Sequence, residues 1–224
     1  MSRDSIKVTC HLSTPIAGAA PMLDALIEFE MAQRQGKAEK IQRSERAPVY
    51  GEIHIPMLRQ QIGGLLVPCC SSPIMVSQRQ TTEHFCKRLS VEHSDLLQPR
   101  QQKKVAMGNS TYKAYHLPLR LHRVDRIVWF ARATRKHTLK LLKSVHSIGK
   151  KRSQGYGRVD RWEAERIETD LSWYAPSDRG PVLMRPLPLC ADLPDNLIGF
   201  RRDFGAVQPP MWHRDRYIER VVPC

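Results

Sequence analysis

Two hydrophobic periods meet within the first thirty residues, and that junction limits the folds open to this chain. Ile6, Val8, Cys10 and Leu12 alternate with Lys7, Thr9 and His11, the period of two that belongs to a half-buried strand. Residues 15–20 read as a turn. Leu23, Leu26, Ile27 and Met31 then fall on one helical face, and Gly36 is a natural stop. The chain therefore opens with a strand and an amphipathic helix suited to cover a sheet.

A second pair of patterns follows a long interval. Residues 126–131 (Arg-Ile-Val-Trp-Phe-Ala) predict a buried strand, and Thr134 is a candidate cap for the next helix. Leu141, Val145 and Ile148, at i, i+4 and i+7 and joined by Leu142, predict that this helix runs to Gly149. A further strand begins at Val159, and 171–174 is another candidate. Between the two pairs, 37–47 is polar and charged and reads as an exposed loop. Residues 51–70 look extended, with Gly63-Gly64 as a turn and Pro56 and Pro68 as breaks. The span 52–115 is expected to be a thumb-like insertion of irregular hairpins within a single domain, 1–224. The Pro-rich span 181–224 is expected to be a loop-rich C-terminal extension. This order predicts an α+β fold with a ferredoxin-like (RRM-like) β-α-β-β-α-β sheet backed by two helices.

Charge narrows the partner. The chain carries a net charge of +14 over 224 residues. Between residues 120 and 161 there are thirteen Lys and Arg against Asp125 and Asp160 alone, so nearly all of the excess lies in one segment. Such a concentration favours a polyanionic partner. The 41% hydrophobic content argues against global disorder. No run approaches the ~20 apolar residues of a membrane span, so no membrane partner is expected. The N-terminus leads into a strand pattern without the signature of a signal peptide. The six cysteines are irregularly spaced and read as reduced thiols of a cytoplasmic protein.

The densest chemistry is the run Ile148-Gly149-Lys150-Lys151-Arg152-Ser153-Gln154-Gly155-Tyr156-Gly157-Arg158-Val159. Glycines let a backbone approach a phosphate chain and present N–H groups to it. Lys150, Lys151, Arg152 and Arg158 supply salt-dependent affinity. Tyr156 could stack on an unpaired base. Lys136, Lys140 and Lys143 share one face of the preceding helix and extend the candidate RNA-binding set. The run has neither a Walker pattern nor GxGxxG after a strand, so no nucleotide or other small-molecule cofactor is expected. A solvated basic turn is the structural alternative.

The order helix, I-G-K-K-R-S-x-G-x-G-x-V, strand resembles the glycine-rich loop of the CRISPR-associated RAMP superfamily. Leu23-Asp24-Ala25-Leu26-Ile27 resembles the first-helix motif of those proteins. The strand at 126–131 and Met184-Arg185-Pro186-Leu187-Pro188 look most like the type IV branch and its Cas-five-like subunit. The resemblance implies a ferredoxin-like fold and a subunit of a surveillance complex that binds and caps the 5′ repeat-derived handle of CRISPR RNA. It also implies neighbouring backbone and large subunits as partners, with target DNA as a further contact.

The same superfamily includes metal-independent endoribonucleases, which need a general base and acid. The catalytic candidates are His11 and Tyr156, with His54, His137 and His146 beside them; no pair has a spacing that compels the role. A basic nucleic-acid-binding module of another kind is the third reading. Cys69, Cys70, His84, Cys86 and His93 do not match the knuckle spacing of zinc sites, so no metal is expected.

Overall fold

The computed structural model describes residues 3–36, 53–76, 79–88, 113–209, 211 and 216–224. The loop expected at 37–47, His93, and 89–112 of the expected insertion lie outside the described residues. Among the described residues the fold is α+β, with mostly antiparallel sheets and two α-helices.

The central sheet uses β1 (Asp4–Leu12), β5 (Ile74–Val76), β8 (Arg126–Ala133) and β9 (Val159–Arg166), in the order β5-β8-β1-β9. Every neighbouring pair is antiparallel. Register puts the apolar residues of β1 opposite those of β8: Ile6 on Ala131, Val8 on Trp129, Cys10 on Ile127. All six are buried. Both helices, α1 (Leu23–Arg34) and α2 (Arg135–Leu142), place Leu23, Ile27, Leu141 and Leu142 in the same cluster. They therefore cover the face that the alternation of β1 marked. Trp129 anchors this core; its indole N–H donates to the Pro21 carbonyl at 3.1 Å, and its ring lies 5.8 Å from that of Trp162. The other face carries Val128 and Phe130 opposite Thr9 and Lys7, and ion pairs towards β9, with Lys7 on Glu165 at 2.7 Å and His11 Nε2 3.3 Å from Glu163.

Helix α2 is shorter than its periodicity predicts. It stops at Leu142, although Val145 and Ile148 are buried as expected. Residues 146–148 instead pair with 157–159: Ile148 N–H donates to Gly157 O and Val159 N–H to His146 O, both at 2.9 Å. Ser144 helps to end the helix by turning its hydroxyl to Leu141 O at 2.6 Å and Glu30 Oε2 at 2.7 Å. Burial at helical spacing was satisfied by an extended segment, which period alone does not distinguish over four residues. Thr134 stands at the N-cap position but makes no side-chain cap bond.

The expected insertion is not one piece. Ile53, Ile55, Met57 and Cys70 belong to the main core, and β5 is an edge strand of the central sheet. β3 (Arg59–Ile62) and β4 (Leu65–Pro68) form a hairpin through Gly63-Gly64, as read. The projecting part is a ribbon of β6 (Arg79–Lys87) and β7 (Tyr115–Arg123), joined at its base by β2 (Ile16–Ala17). The boundary was misplaced because strands of three and four residues carry too little alternation to read.

The C-terminal span is also more ordered than a loop-rich extension. After β10 (Tyr174–Ala175) and β11 (Val182–Leu183), it holds β12 (Leu187–Pro188), β13 (Phe200–Ala206) and β14 (Tyr217–Pro223) in a sheet of order β12-β14-β13. Val67, Leu183, Leu187, Leu197, Val207 and Val221 form a second core beneath it. Charged residues sit inside these strands as cross-strand partners, Asp203 with Arg220 at 2.7 Å, and this masks the hydrophobic period.

The second core leans on the flank of α1, which is why that helix buries acids as well as leucines. Glu28 meets Arg59 at 3.3 Å. Burial outweighs this attraction and pushes the Glu28 carboxyl up to about 7. A carboxyl raised on folding binds more protons in the native chain, so stability falls as pH rises between about 4.5 and about 7. The expected change is of order 3 kcal/mol. Urea midpoints from pH 5 to 8 should show this slope in the parent and lose it in Glu28→Gln; an equal slope in both would refute the assignment.

Candidate nucleic-acid interface

The glycine-rich run is the tip of the turn between 146–148 and 157–159, at the end of the central sheet where Leu12 pairs with Val159. The segment after β1 cradles it. Lys150 N–H donates to Ala17 O at 2.9 Å, and Gly157 N–H to Pro15 O at 2.8 Å. Thr14 accepts from Arg158 N–H at 2.9 Å and donates to Gly155 O at 2.8 Å. Within the tip, Lys151 (φ +56°) and Gly155 (φ +89°) bracket one 3₁₀ turn over Arg152–Gln154. Left-handed backbone at a lysine is uncommon and needs its surroundings to hold it.

The β6–β7 ribbon supplies those surroundings. Lys151 Nζ sits 3.8 Å above the Phe85 ring, a cation–π contact. The Tyr156 hydroxyl donates to Glu83 Oε2 at 2.8 Å. Glu83 and Phe85 lie on one face of the ribbon, with Tyr115, Leu117 and Leu119 opposite them. The Phe85 and Tyr115 rings are 5.6 Å apart, and Leu117 is 51% exposed. The loop is thus docked against an aromatic-apolar ribbon face.

The predicted RNA-binding residues accordingly separate. Lys150, Arg152, Ser153, Gln154, Gly155 and Arg158 are exposed at the tip; Lys151 and Tyr156 are half-buried on the ribbon; Gly149 is half-buried and Gly157 buried against the neighbouring turn. Lys136, Lys140 and Lys143 are exposed, but the first two lie on α2 and the third caps its end. That helix begins at the opposite end of the sheet, where Asp4 pairs with Ala133. The sequence reading missed Glu83, Phe85 and the β7 face, although Tyr115, Leu117, Leu119 and Leu121 alternate without a break. It also missed Arg185, which is fully buried and reaches Asp24 at 3.4 Å.

The tip offers three exposed cations, Lys150, Arg152 and Arg158, together with a hydroxyl and an amide. Among the described residues no backbone acceptor meets the N–H groups of Arg152 and Ser153. This is the equipment for phosphate oxygens. The two catalytic candidates are held by different carboxylates, His11 beside Glu163 and Tyr156 on Glu83. The hydrogen bond to Glu83 pushes the Tyr156 phenol up, holding it as a protonated donor.

Cys69 and Cys70 are buried beside the sheet, whereas His84 and Cys86 are on the ribbon. Burial pushes the Cys10 thiol up to about 12 and Cys69 up to about 11. Among the described residues no group of three or more His, Cys, Asp or Glu side chains is arranged to hold a metal ion. No described helix is long and apolar enough to cross a membrane. No protein-family model matches the chain, and no curated protein matches it in sequence.

Proposed function

We propose that this chain is a non-catalytic RNA-binding protein whose phosphate contacts are made by the tip of the glycine-rich loop. The observation that carries the reading is the docked loop. Its backbone is pinned by the turn at 13–17 and by the ribbon, while Lys150, Arg152 and Arg158 point their charge outward. A preformed cationic tip binds a phosphate chain without first ordering itself.

On the resemblance of its loop, first helix and Met184–Pro188 segment, we further assign it to the Cas-five-like subunit of a type IV CRISPR effector complex. There it would cap the 5′ handle of the guide RNA, beside backbone and large subunits and near target DNA, within an antiviral ribonucleoprotein. Two features support this. The strand order β5-β8-β1-β9, with a helix after β1 and another after β8, is the order a ferredoxin-like β-α-β-β-α-β chain takes. The resembling pieces also meet: Asp24 of the first-helix motif pairs with Arg185 of the Met-Arg-Pro motif.

The test uses labelled repeat RNA of the chain's own locus with EDTA present, following filter retention and cleavage together. The variant is Lys150→Ala, Arg152→Ala, Arg158→Ala. Retention without cleavage is expected in the parent. In the variant, affinity should fall by about 30-fold or more, and the log–log salt slope should shrink by roughly 2, about 0.7 per phosphate contact on a single strand. Site-specific cleavage lost in His11→Ala or Tyr156→Phe would make the chain the processing endoribonuclease instead. Undiminished retention by the triple variant would make the loop structural and end the proposal. Equal retention of repeat RNA and unrelated DNA would favour a general basic module.

A further inference from the structure

At the far end of the central sheet from the loop lies a depression of about 730 Å³. Four elements line it: Asp4 at the start of β1, Arg34 at the end of α1, Arg135, Lys136 and Lys140 on α2, and Arg166 at the end of β9. The single acid in the lining is Asp4, which accepts from Arg166 Nε at 2.9 Å. Arg34 crosses to α2, donating to Lys140 O at 3.4 Å and, just past the helix, to Ser144 Oγ at 3.0 Å. Arg135, Lys136 and Lys140 have no acidic partner among the described residues and are exposed. The first turn of α2 also carries no acid. Cations there oppose the helix dipole, so an anion in the depression would relieve a cost already present in the fold.

We infer that this depression is a second anchor for a phosphate chain, so that one single-stranded RNA is held at two places. The inference rests on the RNA-binding reading and deepens it. β1 separates the anchors: Asp4 marks one end and Leu12 the other, eight rises of about 3.3 Å, or roughly 26 Å. Lys136 and Lys140, at i and i+4 on α2, and Lys143, just past its end, lead from the depression towards the loop. A nucleic acid fits this arrangement better than a small anion does. Its charges repeat along a line, and the lining is open and basic.

Two anchors on one strand make affinity depend on length. The second contact becomes intramolecular once the strand can span the gap. Binding is measured for oligonucleotides of about 4 and about 12 nucleotides, the range of single-strand site sizes. The proteins are the parent, the loop variant above, and Arg135→Ala, Lys136→Ala, Lys140→Ala, each first shown by circular dichroism to keep the parent's fold. In the parent the longer strand should bind about 100-fold tighter or more. In the α2 variant that gain should fall to under tenfold, while the short strand keeps its loop-directed affinity. A gain that survives in the α2 variant would overturn the second anchor. Loss of short-strand binding only in the α2 variant would overturn the loop reading and leave the depression as the main site. Vesicles rich in phosphatidylserine form the last arm. Retention on them that the α2 variant loses, with RNA length dependence intact, would assign the depression to a lipid surface and overturn the inference.

Discussion

Arg185→Ala is expected to destabilise the chain by about 3–5 kcal/mol, the cost of removing one partner from a buried ion pair. The guanidinium is fully buried. It donates to Pro68 O at 2.5 Å, Cys70 O at 3.1 Å, Val207 O at 2.7 Å and Asp24 Oδ2 at 3.4 Å. One side chain thereby ties α1, the end of β4 and the end of β13 together, across the seam between the two cores. Truncation leaves the Cys70 and Val207 carbonyls and the Asp24 carboxylate without this donor, while Pro68 O keeps the Trp173 indole N–H at 3.0 Å, and Asp24 Oδ1 already lacks one. For a chain of this size each kcal/mol moves the melting temperature by about 2–4 °C, so a drop near 10 °C is expected. Urea denaturation and calorimetry both read it. Arg185→Lys should also lose most of the stability, because an ammonium cannot reach four acceptors from one planar fork. The paired apolar replacement Asp24→Leu, Arg185→Met should recover much of the loss, since no charge then remains buried. A cost below about 1 kcal/mol for Arg185→Ala would show that the two cores hold together without the clamp.

Gly157→Ala is the second large effect, and it acts on the candidate site itself. Gly157 has φ +64°, and a Cβ there would fall on the backbone carbonyl of Ile148, the residue whose N–H donates to Gly157 O. The left-handed conformation alone costs about 1–2 kcal/mol for a residue with a Cβ. Displacing a main-chain acceptor adds to this because no side-chain rotation can relieve it. A loss of about 2–4 kcal/mol is expected, within the range of strain at special backbone positions. It should appear locally first, as faster hydrogen exchange at the Ile148 and Val159 amides. RNA retention should fall with it, because Arg158 and the loop tip share that turn. Gly155→Ala is the control. Its φ is +89°, but no atom lies within 4 Å of a Cβ there. It should cost only the conformational part and leave the amides protected. Equal behaviour of the two variants would mean that φ, and not the close approach of Ile148, governs the loop.

The parts of the fold legible in advance were those with a long pattern. β1 and α1 each bury one face and expose the other, and β8 holds an unbroken apolar run, so their patterns survive in the sequence, and all three stand where expected. The Gly63-Gly64 turn and the start of β9 at Val159 were legible for the same local reason. β5 was not, because three residues carry too little period. The C-terminal sheet was not, because Asp203 and Arg220 pair inside it. In the site, the cationic tip was legible as composition. The ribbon face under it was available in the alternation from Tyr115 to Leu121, but that alternation does not say what it packs against.

The sequence by itself determined the chemistry at hand: the excess of positive charge in one segment, the glycines that let a loop turn sharply, and the apolar stripes that make one helix-covered sheet. Those are local properties, set by residue type and spacing. Tertiary structure alone decided how the cations are divided. It set Lys151 on Phe85 and Tyr156 on Glu83, turned Lys150, Arg152 and Arg158 outward, and carried Lys136 to the far end of β1. It also brought Asp24 and Arg185, 161 positions apart, into one buried pair. The reason is physical: the direction of a side chain depends on which strands become neighbours, and neighbours are chosen by burial summed over the whole chain.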